Sequence, residues 1–104
     1  MWTFEAGLAW CCQANTRLVD HNLHTALTGS VLFKGSSGKD LDVIIYPHKT
    51  SCPSPLIHEI CNMLSLRFVQ DRTGAHNRYS EKDSKRVYHT ETFDGKRIDL
   101  FLLQ

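Results

Sequence analysis

Three aspartates carry the chemistry this sequence could perform. Asp40 and Asp42 stand two apart in Asp40-Leu41-Asp42-Val43-Ile44-Ile45-Tyr46, and Asp99 lies inside Arg97-Ile98-Asp99-Leu100-Phe101. Residues two apart in a strand share a face. Asp40 and Asp42 therefore point to one side, with Leu41, Val43 and Ile45 on the other. By the same rule Asp99 faces away from Ile98, Leu100 and Leu102. If both apolar faces pack on the same helices, the three carboxylates emerge together. Three like charges at close range repel strongly unless a cation neutralises them. Hard oxygen ligands with open positions suit magnesium, which also binds substrate phosphates. Taken singly, each aspartate has a plainer reading: Asp-x-Asp opens many turns, and Asp99 next to Arg97 is the pattern of a surface ion pair.

A second group lies upstream. Gly29-Ser30 falls between an apolar stretch and a turn-rich one. A Gly-Ser step permits close backbone approach and exposes N–H groups, which is how loops hold phosphate. Lys34 and Lys39 are the nearest cations to it. Gly-Ser, then an Asp-x-Asp strand, then a basic-Ile-Asp strand some sixty residues on forms a far more specific pattern than any one part.

The elements that must position these groups are legible in outline. Residues 2–19 read as a helix, with Phe4, Leu8, Cys11, Cys12, Asn15, Leu18 and Val19 as its apolar stripe. A short strand follows over 23–28 and stops at Gly29-Ser30. Residues 31–39, with Gly35, Ser36, Ser37 and Gly38, read as a turn-rich connection. The Asp40–Tyr46 strand ends at Pro47, and Ser54-Pro55 starts a second helix that runs to about Arg67. A strand is expected over 68–71, a polar loop over 72–84, and strands over 85–93 and 96–103 joined at Asp94-Gly95, a strong hairpin signal. Residues 1–104 thus read as a single α+β domain, a mixed sheet with helices packed mainly on one face.

Composition narrows the setting. The 104 residues are 41% hydrophobic and 22% charged, enough to bury a core. Apolar runs of four or five residues exclude a membrane-spanning helix. No basic, apolar leader opens the chain, and the four cysteines show no disulfide spacing, so a reduced, cytoplasmic setting is expected. Cys52, His58 and Cys61 have no paired-cysteine spacing and make a poor zinc set. A formal charge of +1 argues against bulk electrostatic binding of nucleic acid. A modest local excess exists in Arg67, Arg72, Arg78, Lys82, Lys85, Arg86, Lys96 and Arg97, which a solvated loop and edge strand explain as well.

Gly29-Ser30, the Asp40-Leu41-Asp42-Val43-Ile44-Ile45 strand, Pro47 and Lys96-Arg97-Ile98-Asp99-Leu100 together resemble the palm of the DNA polymerase β (family X) branch of the nucleotidyltransferase superfamily. The resemblance spans about residues 20–104. It implies a palm-like mixed sheet and a magnesium-dependent transfer of a nucleoside monophosphate from an NTP to a hydroxyl. It further implies two magnesium ions, with manganese as the alternative, held by Asp40, Asp42 and Asp99. Asp99 would also help deprotonate the attacking hydroxyl, and Ser30 with the backbone at Gly29 would hold the terminal phosphates. The polymerases carry arginines shortly after Gly-Ser; here Val31, Leu32 and Phe33 stand there, leaving Lys34 and Lys39 as point charges without a bidentate fork. The polymerases also use flanking subdomains that these residues do not supply, so a minimal transferase is expected rather than a templated polymerase. Its acceptor would be a small molecule, an RNA end or a protein side chain. A helical protein partner or a second copy would complete the pocket. The alternative expectation is a palm-fold module that binds a protein or nucleic acid without turnover.

Overall fold

A computed structural model describes residues 2–47, 57–73 and 86–103. In chain order the elements are β1 (Trp2–Thr3), α1 (Phe4–Leu18), a 3-10 turn (Val19–His21), β2 (Leu23–Thr28), α2 (Gly29–Lys34), β3 (Ser36–Ser37), β4 (Asp40–Pro47), α3 (Ile57–Met63), β5 (Leu66–Asp71), β6 (Arg86–Thr92) and β7 (Arg97–Leu102). Five strands form one mixed sheet in the order β2-β4-β7-β6-β5, and β1 pairs with β3 in a separate two-stranded ribbon. Only the central β4–β7 pair is parallel; the other three pairings are antiparallel. No helix among the described residues is long and apolar enough to cross a membrane.

Strand alternation sets the core. Leu41, Val43 and Ile45 of β4 and Ile98 and Leu100 of β7 are at most 1% exposed. They cluster with Cys11, Ala14 and Leu18 of α1, Val31 of α2, and Ile60 and Cys61 of α3. The helices thus share the apolar side of the sheet, the α+β arrangement expected from the alternation.

The face that α1 buries is not the expected one. Gly7, Cys11, Ala14 and Leu18 are buried, whereas Phe4, Leu8 and Val19 are at least 40% exposed and Cys12 is exposed. The cause is proximity. A Cβ built on Gly7 would fall 2.8 Å from Leu41 Cδ1 and 3.2 Å from Val31 Cγ1, so the helix needs its smallest residues against the sheet. Glycine and alanine carry little hydropathy, and a stripe drawn through the large apolar residues is therefore rotated off the true face. Nor does the helix begin at Trp2. Thr3 caps it, its side chain accepting from the Ala6 N–H at 3.1 Å.

Asn15 has a reason to sit beside this face. Its Oδ1 accepts from the Thr25 backbone N–H at 2.8 Å and from Thr25 Oγ1 at 2.9 Å. β2 is an edge strand, and Asn15 satisfies a donor on its unpaired side. Asn15→Ala strands that part-buried N–H, with an expected stability loss of about 1–3 kcal/mol. Chemical denaturation checks this; an unchanged midpoint would mean water replaces the side chain without cost.

Two further boundaries differ. The connection over 31–39 contains α2, too short for a periodic signal, which buries Val31 and ends where Gly35 turns left-handed at φ 81. At the other end, α3 stops at Met63 rather than near Arg67. Ser65 has φ 56, and Leu66 already pairs with Thr92 in β5–β6. The Ser54-Pro55 helix start and most of the 72–84 loop lie outside the described residues.

The N-terminal residues act as a clamp on the functional end. β1 pairs Trp2 with Ser37 and Thr3 with Ser36, and the Phe4 N–H donates to the Gly35 carbonyl at 2.8 Å. The Trp2 indole N–H donates to the Arg97 carbonyl at 3.0 Å. The clamp ties the segment leading into Asp40 to the start of β7.

Candidate metal centre

β4 and β7 run parallel with Asp40 opposite Arg97 and Asp42 opposite Asp99. Residues opposite one another on paired strands project to the same side. A carboxylate oxygen from each of Asp40, Asp42 and Asp99 lies within 4.8 Å of the others. Asp40 and Asp42 are half-buried, and Asp99 is 6% exposed. The convergence expected if both apolar faces pack on the same helices is therefore present.

The charges respond to one another. Burial, the dominant cause, together with the Asp40 and Asp99 carboxylates, pushes the Asp42 pKa up to about 6. Asp40 is also raised, by burial first and then by Asp99 beside it. Arg97 opposes both shifts. Its guanidinium donates to Asp99 through Nε at 3.0 Å and a terminal nitrogen at 3.3 Å, and Nε lies 3.8 Å from Asp40 Oδ2. The bond to Asp99 raises the Arg97 pKa further. The Arg97–Asp99 pair seen in the sequence is thus real, but it sits inside the cluster, gripping one carboxylate through both oxygens.

Gly29 is built against the same group. Its φ of 70 lies in the left-handed region, and a Cβ there would overlap Asp42 Oδ2 and fall 2.9 Å from Asp42 Cγ. The backbone at the β2–α2 junction approaches Asp42 more closely than any side-chain-bearing residue allows. Ser30, Lys34 and Lys39 join Asp40 around one cavity of about 350 Å³, which Ser36, Ser37 and Gly38 complete. Ser37 Oγ accepts from the Asp40 N–H at 3.3 Å at the start of β4. Gly29 itself lines a different cavity, with Asp42.

His89 is the residue that strand alternation alone did not reveal. It lies opposite Asp99 across β6–β7, and its Nε2 is buried with no hydrogen-bond partner among the described residues; Glu91 Oε1 is 3.8 Å away. Burial, followed by Arg97, lowers its pKa and favours the neutral ring. A separate small cleft of about 160 Å³ between α1 and Leu64-Ser65 has a structural explanation: its Arg17 donates to the Met63 carbonyl at 3.1 Å and to Ser65 Oγ at 3.2 Å. Cys61 is a buried free thiol, and Cys52 lies outside the described residues, so the zinc set gains nothing.

The donor set is hard oxygen only, clustered and part-buried, with one backbone held open beside it. That chemistry fits a divalent cation of the magnesium type. Comparison with protein-family models gave no match, and neither did comparison with curated proteins.

Proposed function

We propose that this domain is a minimal nucleotidyltransferase with the palm-like site implied by its sequence resemblance, acting on an NTP and a hydroxyl acceptor. The observation that carries the reading is a three-carboxylate cluster whose Asp40 also lines a cavity with Ser30, Lys34 and Lys39. Asp40, Asp42 and Asp99 would hold two magnesium ions, or manganese in their place. Bound there, the ions would supply the positive charge that stabilises a transferring phosphoryl group. Lys34 and Lys39 would attract the β- and γ-phosphates as point charges, and the Ser30 hydroxyl would add a hydrogen bond. Arg97 would hold Asp99 in place through both carboxylate oxygens while an acceptor hydroxyl approaches. A helical partner or second copy would complete the nucleotide pocket, and the setting would be cytoplasmic.

Because both phosphate-binding cations are lysines, binding of a non-hydrolysable ATP analogue by the isolated chain should be weak and magnesium-dependent. Calorimetric titration with and without a chelator checks this, and Lys34→Met with Lys39→Met should weaken it about tenfold or more. Tight binding that ignores the chelator would sink the metal role.

One observation favours a second reading, a palm-like binding module without turnover. Arg97 already neutralises part of the cluster, so the carboxylates are tolerated without an ion. Label transfer from radioactive NTP, present in the wild type and absent in Asp42→Ala, separates the two.

A further inference from the structure

Resting on the transferase reading above, we propose that the acceptor is a neutral hydroxyl compound with an apolar body about one ring in size, and that it binds between Ile44, Phe101 and Leu103. The aspartate cluster borders two recesses of different chemistry. On the Asp40 side is the cavity with Ser30, Lys34 and Lys39. On the Asp42 side is a cavity of about 300 Å³ lined by Thr28, Gly29, Asp42, Ile44, Phe101 and Leu103. The sheet explains the apolar side. Ile44 follows Asp42 by two on β4, Phe101 follows Asp99 by two on β7, and the two are register partners. They continue the aspartates' own face toward the far end of the strands, where the Leu103 N–H is held by the Ile45 carbonyl at 2.9 Å.

Transfer of a nucleotidyl group places the attacking and leaving oxygens roughly in line across the α-phosphorus. The acceptor oxygen forms its bond to that phosphorus as the bond to the bridging oxygen breaks. The electron pair leaves with pyrophosphate, and the hydroxyl proton passes to the carboxylate cluster and on to water. With pyrophosphate on the lysine side, the acceptor must enter away from it, and the apolar recess beyond Asp42 is the other cavity that the cluster borders. Among the described residues, the lining of that recess includes a carboxylate and no cation, and Arg97 is committed to Asp99 and Asp40. A polyanionic nucleic-acid end would meet the Asp42 carboxylate and no compensating charge among these lining residues, whereas an apolar body would bury against Ile44, Phe101 and Leu103.

The test uses 4-methylphenol as the neutral probe, with glycerol and a short RNA bearing a free 3′-hydroxyl as the other arms. Methyl-labelled protein is observed by NMR at Ile44 and Leu103, with and without magnesium and a non-hydrolysable ATP analogue. The phenol alone should give saturable shifts at both residues, and these should persist with the analogue bound. Phe101→Ser should weaken the phenol at least tenfold and leave analogue affinity within twofold. Leu103→Gln, at a position 42% exposed, is the second variant if Phe101→Ser does not fold, read at the Ile44 methyl alone. Shifts caused by the RNA instead, or displacement of the phenol by the analogue, would overturn the assignment. If the analogue binds and the phenol does not, the acceptor assignment alone falls. If the analogue does not bind the lysine-lined cavity, the transferase reading falls and takes the acceptor role with it.

Discussion

Asp42→Asn is expected to reduce nucleotidyl transfer by several orders of magnitude while making the metal-free protein more stable at neutral pH. The asparagine keeps the side chain's size and one acceptor oxygen but cannot balance a cation. Transition-state charge stabilisation of this kind is worth several kcal/mol, and each 1.36 kcal/mol is about tenfold in rate. The stability effect has the opposite sign because burial, with Asp40 and Asp99, raises the Asp42 pKa from 3.8 in the ordinary carboxyl to about 6. A carboxyl raised on folding binds its proton more tightly in the native state. The wild type therefore carries no penalty from Asp42 below about pH 3.8, accumulates it as pH rises, and bears all of it above about pH 6. After allowance for the partial exposure of this side chain, the penalty is about 1–2 kcal/mol. Thermal melts in chelator at pH 4 and pH 7.5 check it: the variant should match the wild type at the lower pH and melt several degrees higher at the upper. On the proposed metal role, magnesium should reverse the order at pH 7.5, because the asparagine would no longer complete the site. A variant that melts lower than the wild type at pH 7.5 in chelator, and still transfers nucleotide, would mark Asp42 as structural.

What the sequence makes legible here follows the physics of each element. The face of each aspartate follows from the period-two rule and two apolar strands, visible at Leu41, Val43 and Ile45 and at Ile98, Leu100 and Leu102, but their convergence also needs β4 and β7 to be neighbours. The rotated face of α1 is hidden because closeness, not hydropathy, selects Gly7 and Ala14. His89 is hidden by one residue of register. A two-residue turn at Asp94-Gly95 would pair Thr90 with Asp99. The loop instead takes three residues, Phe93 to Gly95, with Gly95 at φ 89 and the Thr92 N–H bonded to the Lys96 carbonyl at 2.8 Å. That shift places His89 opposite Asp99 and turns Thr90 into the core, where its hydroxyl donates to the Ile98 carbonyl at 2.8 Å. Arg97 was visible as a neighbour of Asp99, but its reach to Asp40 depends on the parallel β4–β7 register, which no local pattern encodes.

Gly29→Ala is expected to abolish magnesium binding and to destabilise the fold, and Gly35→Ala separates the two effects. Both glycines have left-handed backbones, φ 70 at Gly29 and φ 81 at Gly35. An added Cβ in that conformation costs roughly 1–2 kcal/mol wherever it occurs. At Gly35 it would meet nothing within 4 Å, so the backbone cost is the whole effect. At Gly29 it would overlap Asp42 Oδ2, and the strand backbone behind that carboxylate, paired to β2 and β7, cannot retreat. The Asp42 side chain must rotate instead, carrying its oxygen away from Asp40 and Asp99. The two variants should therefore lose comparable stability in chelator, with Gly29→Ala the worse. Only Gly29→Ala should lose the calorimetric signal for magnesium and the stabilisation that magnesium confers. Wild-type magnesium affinity in Gly29→Ala would show that the carboxylates tolerate the rearrangement, and the close approach of Gly29 would then serve the fold alone.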